Sequence, residues 1–163
     1  MPEKPLPIEQ VLTMLAEAPQ RIAAFTDGLA PEQLRIAPHE GEWSANDVLA
    51  HLRSCADVWG DCIAAMLAED RPTLKAVNPR TWIKHTDYPD LEFGPSLQAY
   101  TRQRAGLISL LESLRPEGWA RRATVTGAGR TLDRSVRFYA QWLATHERPH
   151  IKQIAGIARA MRR

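Results

Sequence analysis

The sequence contains few cysteines, and their spacing excludes an internal disulfide framework. Only Cys55 and Cys62 occur among the 163 residues, and both fall on one predicted helix. Seven helical residues separate two α-carbons by about 10.5 Å, beyond the reach of a disulfide. We therefore expect two reduced thiols in the core rather than a small disulfide-stapled protein.

Long apolar runs and a strong charge bias are also missing. No apolar stretch approaches the length of a membrane span, and the N-terminal MPEKPLPIEQ has no apolar signal-peptide core. The 21 basic and 19 acidic side chains leave a net charge of only +2, which does not favour nucleic acid or an anionic membrane as a partner. Motifs for an acyl-serine, a P-loop or a dinucleotide are absent. These absences predict a cytoplasmic protein that binds neither nucleic acid nor membrane.

Apolar residues recur at helical spacing in four segments. Ser44 and Asp47 form a variant of the capping box at the start of the second segment, and Pro19 predicts a kink or a restart in the first. The segments are 8–29, 44–66, 95–114 and a last one from about residue 132 nearly to the C-terminus. Residues 71–94 form a long irregular connection, and residues 123–132 resemble a loop with hairpin tendency. This pattern predicts an all-α fold, a four-helix bundle with a long crossover connection, as a single domain over residues 1–163.

Three histidines lie on the apolar faces of these segments. His51 is on the second segment, and His146 and His150 are four residues apart on the last, so that the latter two share one helix face. Three neutral imidazoles suit a divalent transition metal and leave coordination positions open. The alternative is that each histidine is a core residue with an ordinary hydrogen-bond partner. Of the other two, His39 is expected at the surface, and His85 either there or against substrate if the crossover covers the site.

Several neighbours of the histidines could contribute to such a site. Cys55, one turn after His51, could supply a thiolate or a fourth ligand, or could simply be a buried thiol. Trp82 on the long connection could line a pocket. Glu147 and Gln153 could orient the ligands from outside, although Glu147 is angularly displaced from both histidines of the last helix. Asp47 is assigned to helix capping.

Pro149 lies between the two histidines of the last segment. It has no N–H to donate to the carbonyl of Thr145, and its ring crowds that turn. We expect an accommodated kink, because all three histidines stay in register with the apolar faces.

Four short motifs together resemble the DinB-like, or YfiT-like, metalloenzyme family. They are GEWS at 41–44, VLAHL at 48–52, YTRQR at 100–104 and HERPHIKQI at 146–154. The resemblance implies a four-helix bundle in which His51, His146 and His150 bind one divalent metal, zinc or nickel. It also suggests a homodimer. Members of the family include S-transferases that use bacillithiol or a similar small thiol, and a mycothiol-dependent isomerase.

The favoured function is therefore a thiol-dependent S-transferase acting on small electrophiles, with a small-molecule thiol as its second substrate. Bound metal would lower the pKa of a thiol or water so that an anionic nucleophile exists near neutral pH. Metal-dependent hydrolysis or isomerisation is the alternative enzyme hypothesis. A non-catalytic metal or small-molecule binding protein in a stress response is the third, and a site closed by a fourth protein ligand would favour it.

Overall fold

The computed structural model describes residues 4–163 and is mostly helical. In chain order the helices are α1 (Ile8–Thr26), α2 (Pro31–Leu34), α3 (Ala45–Ala68), α4 (Pro79–Trp82), α5 (Phe93–Glu112), α6 (Pro116–Trp119) and α7 (Val136–Met161). The strands are β1 (Thr73–Lys75), β2 (Arg122–Thr126) and β3 (Leu132–Ser135). Two 3-10 turns, Ile83–His85 and Tyr88–Asp90, follow α4.

The four long helices α1, α3, α5 and α7 form a four-helix bundle, which confirms the predicted fold class. Helices α1 and α3 each contact both α5 and α7. The apolar faces point into this core, where Leu15, Leu52, Leu111 and Leu143 are fully buried. Burying a side chain of this size contributes about 1.5–3 kcal/mol, so burial of the apolar faces is the main term that stabilises the bundle.

The start of α3 is set by the predicted capping box. The Ser44 hydroxyl accepts a hydrogen bond from the Asp47 N–H at 3.1 Å, and the Asp47 carboxylate accepts one from the Ser44 N–H at 2.9 Å. Two backbone donors that the helix itself cannot satisfy are paired at its first turn. The cap thereby fixes where α3 begins, and with it the direction in which His51 points.

Pro19 lies inside α1, and the helix does not restart there. A proline cannot donate to the carbonyl four residues earlier, which here belongs to Leu15. The Arg104 guanidinium on α5 donates to that carbonyl instead, with Nη1 3.0 Å from the oxygen. The missing backbone donor is thus replaced by a side chain from the neighbouring helix, and α1 continues unbroken.

The long crossover between α3 and α5 is fastened to the bundle. The Asp57 carboxylate on α3 accepts hydrogen bonds from the Tyr88 hydroxyl at 2.5 Å, the Gln103 amide at 2.8 Å and the Trp82 indole N–H at 3.4 Å. The Ser54 hydroxyl donates to the Pro79 carbonyl at 2.6 Å. The crossover therefore forms a fixed wall against α3.

A small three-stranded sheet closes one end of the bundle. Strands β2 and β3 form an antiparallel hairpin, and β1 from the crossover pairs with β2 in parallel, with Thr73 opposite Thr124. The hairpin tendency of residues 123–132 was predicted, but the part played by β1 was not. Because residues up to Ser135 belong to β3, α7 begins at Val136 rather than near Leu132.

No helix within residues 4–163 has both the length and the apolar character needed to cross a bilayer.

Candidate metal centre

Helices α3 and α7, which pack side by side, bring the three predicted histidines together. The Nε2 atoms of His51 and His146 are 3.4 Å apart. The ring centroid of His150 lies 4.8 Å from that of His51 and 5.0 Å from that of His146. His51 is buried at the floor of the cluster, and His146 and His150 are half-buried. The three imidazoles thus meet in one small volume, although 95 residues of sequence separate His51 from His146.

Cys55 joins the cluster from the turn after His51. Its Sγ lies 3.5 Å from Nε2 of His51, and the ligand atoms of His51, Cys55 and His146 all lie within 4.8 Å of one another. Two nitrogens at zinc-ligand distance on a tetrahedral ion are about 3.3 Å apart, and a nitrogen and a sulfur are about 3.5 Å apart. The separations from Nε2 of His51 to Nε2 of His146 and to Sγ of Cys55 therefore fit two donor pairs on a single tetrahedral ion, and the His150 ring lies beside this group rather than in it.

Electrostatics keep the donor nitrogens in the form that binds metal. Burial, followed by the nearby His150, His146 and Arg80, lowers the pKa of His51 from 6.5 to about 4. Burial and then His150 also lower the pKa of His146. Both rings are therefore neutral at physiological pH, with a lone pair available for a cation.

The Cys55 thiol, in contrast, is held in the protonated form, which does not bind metal. Burial, and then the charge of Glu147, raise its pKa from 9.0 to about 12. In the metal-free protein the thiol stays protonated, whereas a coordinating thiol loses its proton to the field of the ion. The chemistry of this donor therefore depends on a cation beside it.

Aromatic rings surround the histidines. The Trp43 ring centroid is 5.3 Å from that of His51, and its ring is stacked against His150 at 6.4 Å. On the other side, Trp59 meets His146 edge-on at 5.0 Å. These walls restrict water and strengthen electrostatic interactions inside the cluster.

Two open cavities lead to the histidines from the side of the crossover. One has a volume of about 330 Å³ and reaches His51, and the other has a volume of about 560 Å³ and reaches His150. Trp43 and Arg80 line both. The first is completed by Asp47, Ala50, Ile83 and Pro89, and the second by Gly41, Glu42, Gln153 and Ile157. A small molecule can therefore approach the cluster.

Trp82 and His85, predicted as pocket residues, lie elsewhere on the crossover. Trp82 uses its indole N–H on Asp57, and the exposed His85 lies beside it, with ring centroids 6.0 Å apart. Neither residue lines either of the two cavities. Cys55, the third such residue, is the one that the structure brings to the histidines.

Of the two residues expected to orient the ligands, Gln153 contacts a histidine. Its Oε1 is 3.1 Å from Nδ1 of His150, which fixes that ring and leaves Nε2 available. Glu147 instead faces away, as its angular position predicted. Its carboxylate accepts hydrogen bonds from the Tyr100 hydroxyl at 2.6 Å and from Nη1 of Arg104 at 3.0 Å, and it also contacts Nη2 of Arg104.

Arg80 also lines both cavities and was not predicted from the sequence as a site residue. Its side chain lies over the Trp43 ring, with the guanidinium carbon 5.1 Å from the centroid. Asn78 and Pro79, a capping residue followed by a proline at the first helical position, are the signal that could have placed a short helix there.

Comparison with known proteins identifies the family and agrees with the fold. The sequence model of the DinB superfamily matches residues 14–154. Two proteins named "Putative metal-dependent hydrolase" are similar in sequence: one from Geobacillus thermodenitrificans is 25% identical and one from Geobacillus kaustophilus 26%, each over 92% of this chain and 83% of its own length. The solved structure of YfiT from Bacillus subtilis, described as "a probable metal-dependent hydrolase with an unusual four-helix bundle topology", superposes with a TM-score of 0.80 at 18% identity, over 99% of this chain and 93% of YfiT. With the family model covering most of its length, this chain belongs to the DinB superfamily.

Proposed function

We propose that the chain is a metal-dependent enzyme whose His51, His146 and His150 hold one divalent ion, zinc or nickel. The observation that carries the proposal is the 3.4 Å separation of the His51 and His146 Nε2 atoms, with the His150 ring directly beside them. Neutral, buried imidazoles at this spacing would be costly to desolvate without a partner. Cys55, 3.5 Å from His51, is a fourth donor. If it binds the ion, the enzyme proposal requires room for a substrate beside four protein ligands, and a site that Cys55 closes would favour the non-catalytic alternative.

Each residue has a separate task in this proposal. The lowered pKa of His51 keeps its donor nitrogen unprotonated, and Gln153 orients His150. A bound divalent ion supplies Lewis acidity and lowers the pKa of a thiol or water that reaches it. The rings of Trp43 and Trp59 limit the entry of bulk water.

For the reaction, we propose transfer of a small thiol, bacillithiol or a similar compound, to a small electrophile. The thiol sulfur forms a bond to the electrophilic carbon, the leaving group departs with the electron pair of its broken bond, and the thiol proton passes to solvent. The two cavities beside the histidines offer separate approaches for two small molecules, which favours a two-substrate reaction. A reducing cytoplasm would keep such a thiol available, and we propose that location together with a homodimeric assembly.

Hydrolysis is the second candidate reaction. It is favoured by the name that both Geobacillus proteins carry, "metal-dependent hydrolase", and by the same words in the description of YfiT. Here water replaces the thiol, so only one organic substrate is needed.

Elemental analysis of protein purified without an affinity tag tests the metal centre. We expect about one divalent ion per chain in the wild type and a large loss in His51→Ala and in His150→Ala. His85→Ala is the matched control, because His85 is an exposed histidine away from the cluster. Stoichiometric metal that persists in both His51→Ala and His150→Ala would refute the site.

Turnover of an electrophile with and without added small thiols distinguishes the two reactions. Thiol transfer predicts product formation that depends on both the thiol and the metal. Metal-dependent turnover without any thiol would instead support hydrolysis.

A further inference from the structure

Arg80 is held in a fixed position beside the candidate site. It is the second residue of α4, and its backbone N–H donates to the side chain of Asn78 at 2.9 Å. The preceding residue, Pro79, is tied to α3 through the Ser54 hydroxyl. Binding by a residue on a mobile loop includes the cost of ordering that loop, and the anchored backbone of Arg80 removes this part of the cost.

The guanidinium group of Arg80 is placed between the two cavities. It lies over the Trp43 ring, and Trp43 contacts the rings of both His51 and His150. Trp43 and Arg80 are the two residues shared by the cavity that reaches His51 and the cavity that reaches His150. A small molecule in either cavity can therefore contact this pair.

Among residues 4–163, Arg80 forms no salt bridge with a carboxylate. Within residues 4–163 the salt bridges of arginine are those of Arg71 and Arg122 with Asp133, and of Arg104 with Glu147. Two acids line the cavities, Asp47 and Glu42. The carboxylate of Asp47 is engaged by the N–H and hydroxyl of Ser44, at 2.9 and 3.0 Å.

We propose that Arg80, which lies over the Trp43 ring, binds the carboxylate of a small substrate whose apolar body occupies the cavity above His51. The planar guanidinium presents its N–H groups as a fork that matches a carboxylate in a bidentate manner. Ala50, Ile83 and Pro89 provide apolar contacts for the rest of the molecule. The volume of about 330 Å³ is at the lower end of ligand pockets, which fits a molecule the size of a single ring with its carboxylate.

The inference rests on the proposed function, because it assumes that the reaction takes place at the histidine cluster. It defines the substrate class as small organic acids with an apolar body. Arg80 would act as a specificity-determining residue that orients the acid while the reactive carbon lies toward His51.

Titration of the metal-free protein with benzoate tests the subsite, with the neutral isostere benzamide as comparison. At pH 8 imidazoles of ordinary pKa are neutral, so that binding does not depend on histidinium. The readout is the NMR signals of the arginine Nε–H and tryptophan indole N–H groups. We expect benzoate to shift the signals of Arg80 and Trp43, and benzamide to bind at least tenfold more weakly, because charge-assisted hydrogen bonds are about twice as strong as neutral ones.

Two variants complete the experiment. Arg80→Met should weaken benzoate binding by about tenfold or more, whereas Lys84→Met removes a positive charge from the neighbouring 3-10 turn and should leave binding within about twofold. Equal binding of benzoate and benzamide, or unchanged benzoate binding in a folded Arg80→Met protein, would overturn the subsite. The titration uses metal-free protein, so its outcome does not depend on whether elemental analysis finds a metal at the histidines. The carboxylate subsite and the metal centre can therefore be refuted independently.

Discussion

Replacement of Arg104 by methionine tests whether the buried Arg104–Glu147 pair holds three helices together. Arg104 is 2% exposed and Glu147 1% exposed, and Tyr100 in the same network is fully buried. The pair joins α5 to α7, and the bond from Arg104 to the Leu15 carbonyl adds α1. In Arg104→Met the carboxylate of Glu147 stays buried without its counter-charge.

The expected cost follows from two losses. An uncompensated charge left by removing one partner of a buried ion pair costs about 3–5 kcal/mol. The Leu15 carbonyl, which faces Pro19 in its own helix, also loses its donor, at about 1–3 kcal/mol. A domain of this size has about 5–15 kcal/mol in total, so Arg104→Met should lose about 4 kcal/mol or more and melt roughly 10 °C lower.

A double-mutant cycle in urea, followed by far-ultraviolet circular dichroism, measures the coupling. Glu147→Leu should cost about as much as Arg104→Met, whereas the double variant should recover about 3 kcal/mol of the summed loss because no buried charge remains. Arg122→Met is the control: its pair with Asp133, at 2.9 Å, is exposed to solvent, so its loss should leave the urea midpoint nearly unchanged. Coupling below about 1 kcal/mol would refute the reasoning.

Three further changes probe the site and its wall. Cobalt(II)-loaded protein should show thiolate-to-metal charge-transfer absorption that is lost in Cys55→Ser and kept in Cys62→Ser; a band that survives Cys55→Ser would exclude Cys55 as a donor. Metal-free protein should lose roughly 3 kcal/mol of stability as pH falls from 6.5 to 4. The cause is the lowered pKa of His51, since in this range the unfolded chain binds a proton that the folded chain excludes. In urea unfolding at a series of pH values, the free energy of unfolding of His51→Gln should depend less steeply on pH. Asp57→Ala should speed amide exchange in residues 79–91 by tenfold or more, since the bonds from Trp82 and Tyr88 are lost, while Asp61→Ala should not. Equal exchange in both variants would show that other contacts hold the crossover against α3.

The features that were predicted correctly depend on residues close together in the sequence. The capping box of Ser44 and Asp47 spans four residues, and it fixed where α3 and its apolar face begin. His146 and His150 are one turn apart, so a single helix brings them to one face. Both signals are contained in one element and need no knowledge of how elements pack.

The features that were missed depend on pairings across the chain. Strand β1 exists because Thr73 meets Thr124, about fifty residues later, and alone it is too short to show a pattern. Pro19 predicted a kink or a restart in α1, and the helix does not restart because a compensating donor, Arg104, comes from α5. Arg80 lies on the wall of the cavities only because the crossover folds back on α3. Each is a tertiary contact that overrides or adds to a local preference.

The adjacency of α1 and α7 determines when the site can be completed during synthesis. Gln141 and Arg137 on α7 bond to Lys4 and Leu6 ahead of α1, across more than 130 residues of sequence. Helices α1, α3 and α5 leave the ribosome before α7, with their faces for it exposed. His51 must therefore await both other histidines, and until α7 is made the nascent chain presents only one imidazole and one thiol of the cluster. In the proposed metal centre, ion capture would consequently be a late event, which follows closure of the bundle by its most distant contacts.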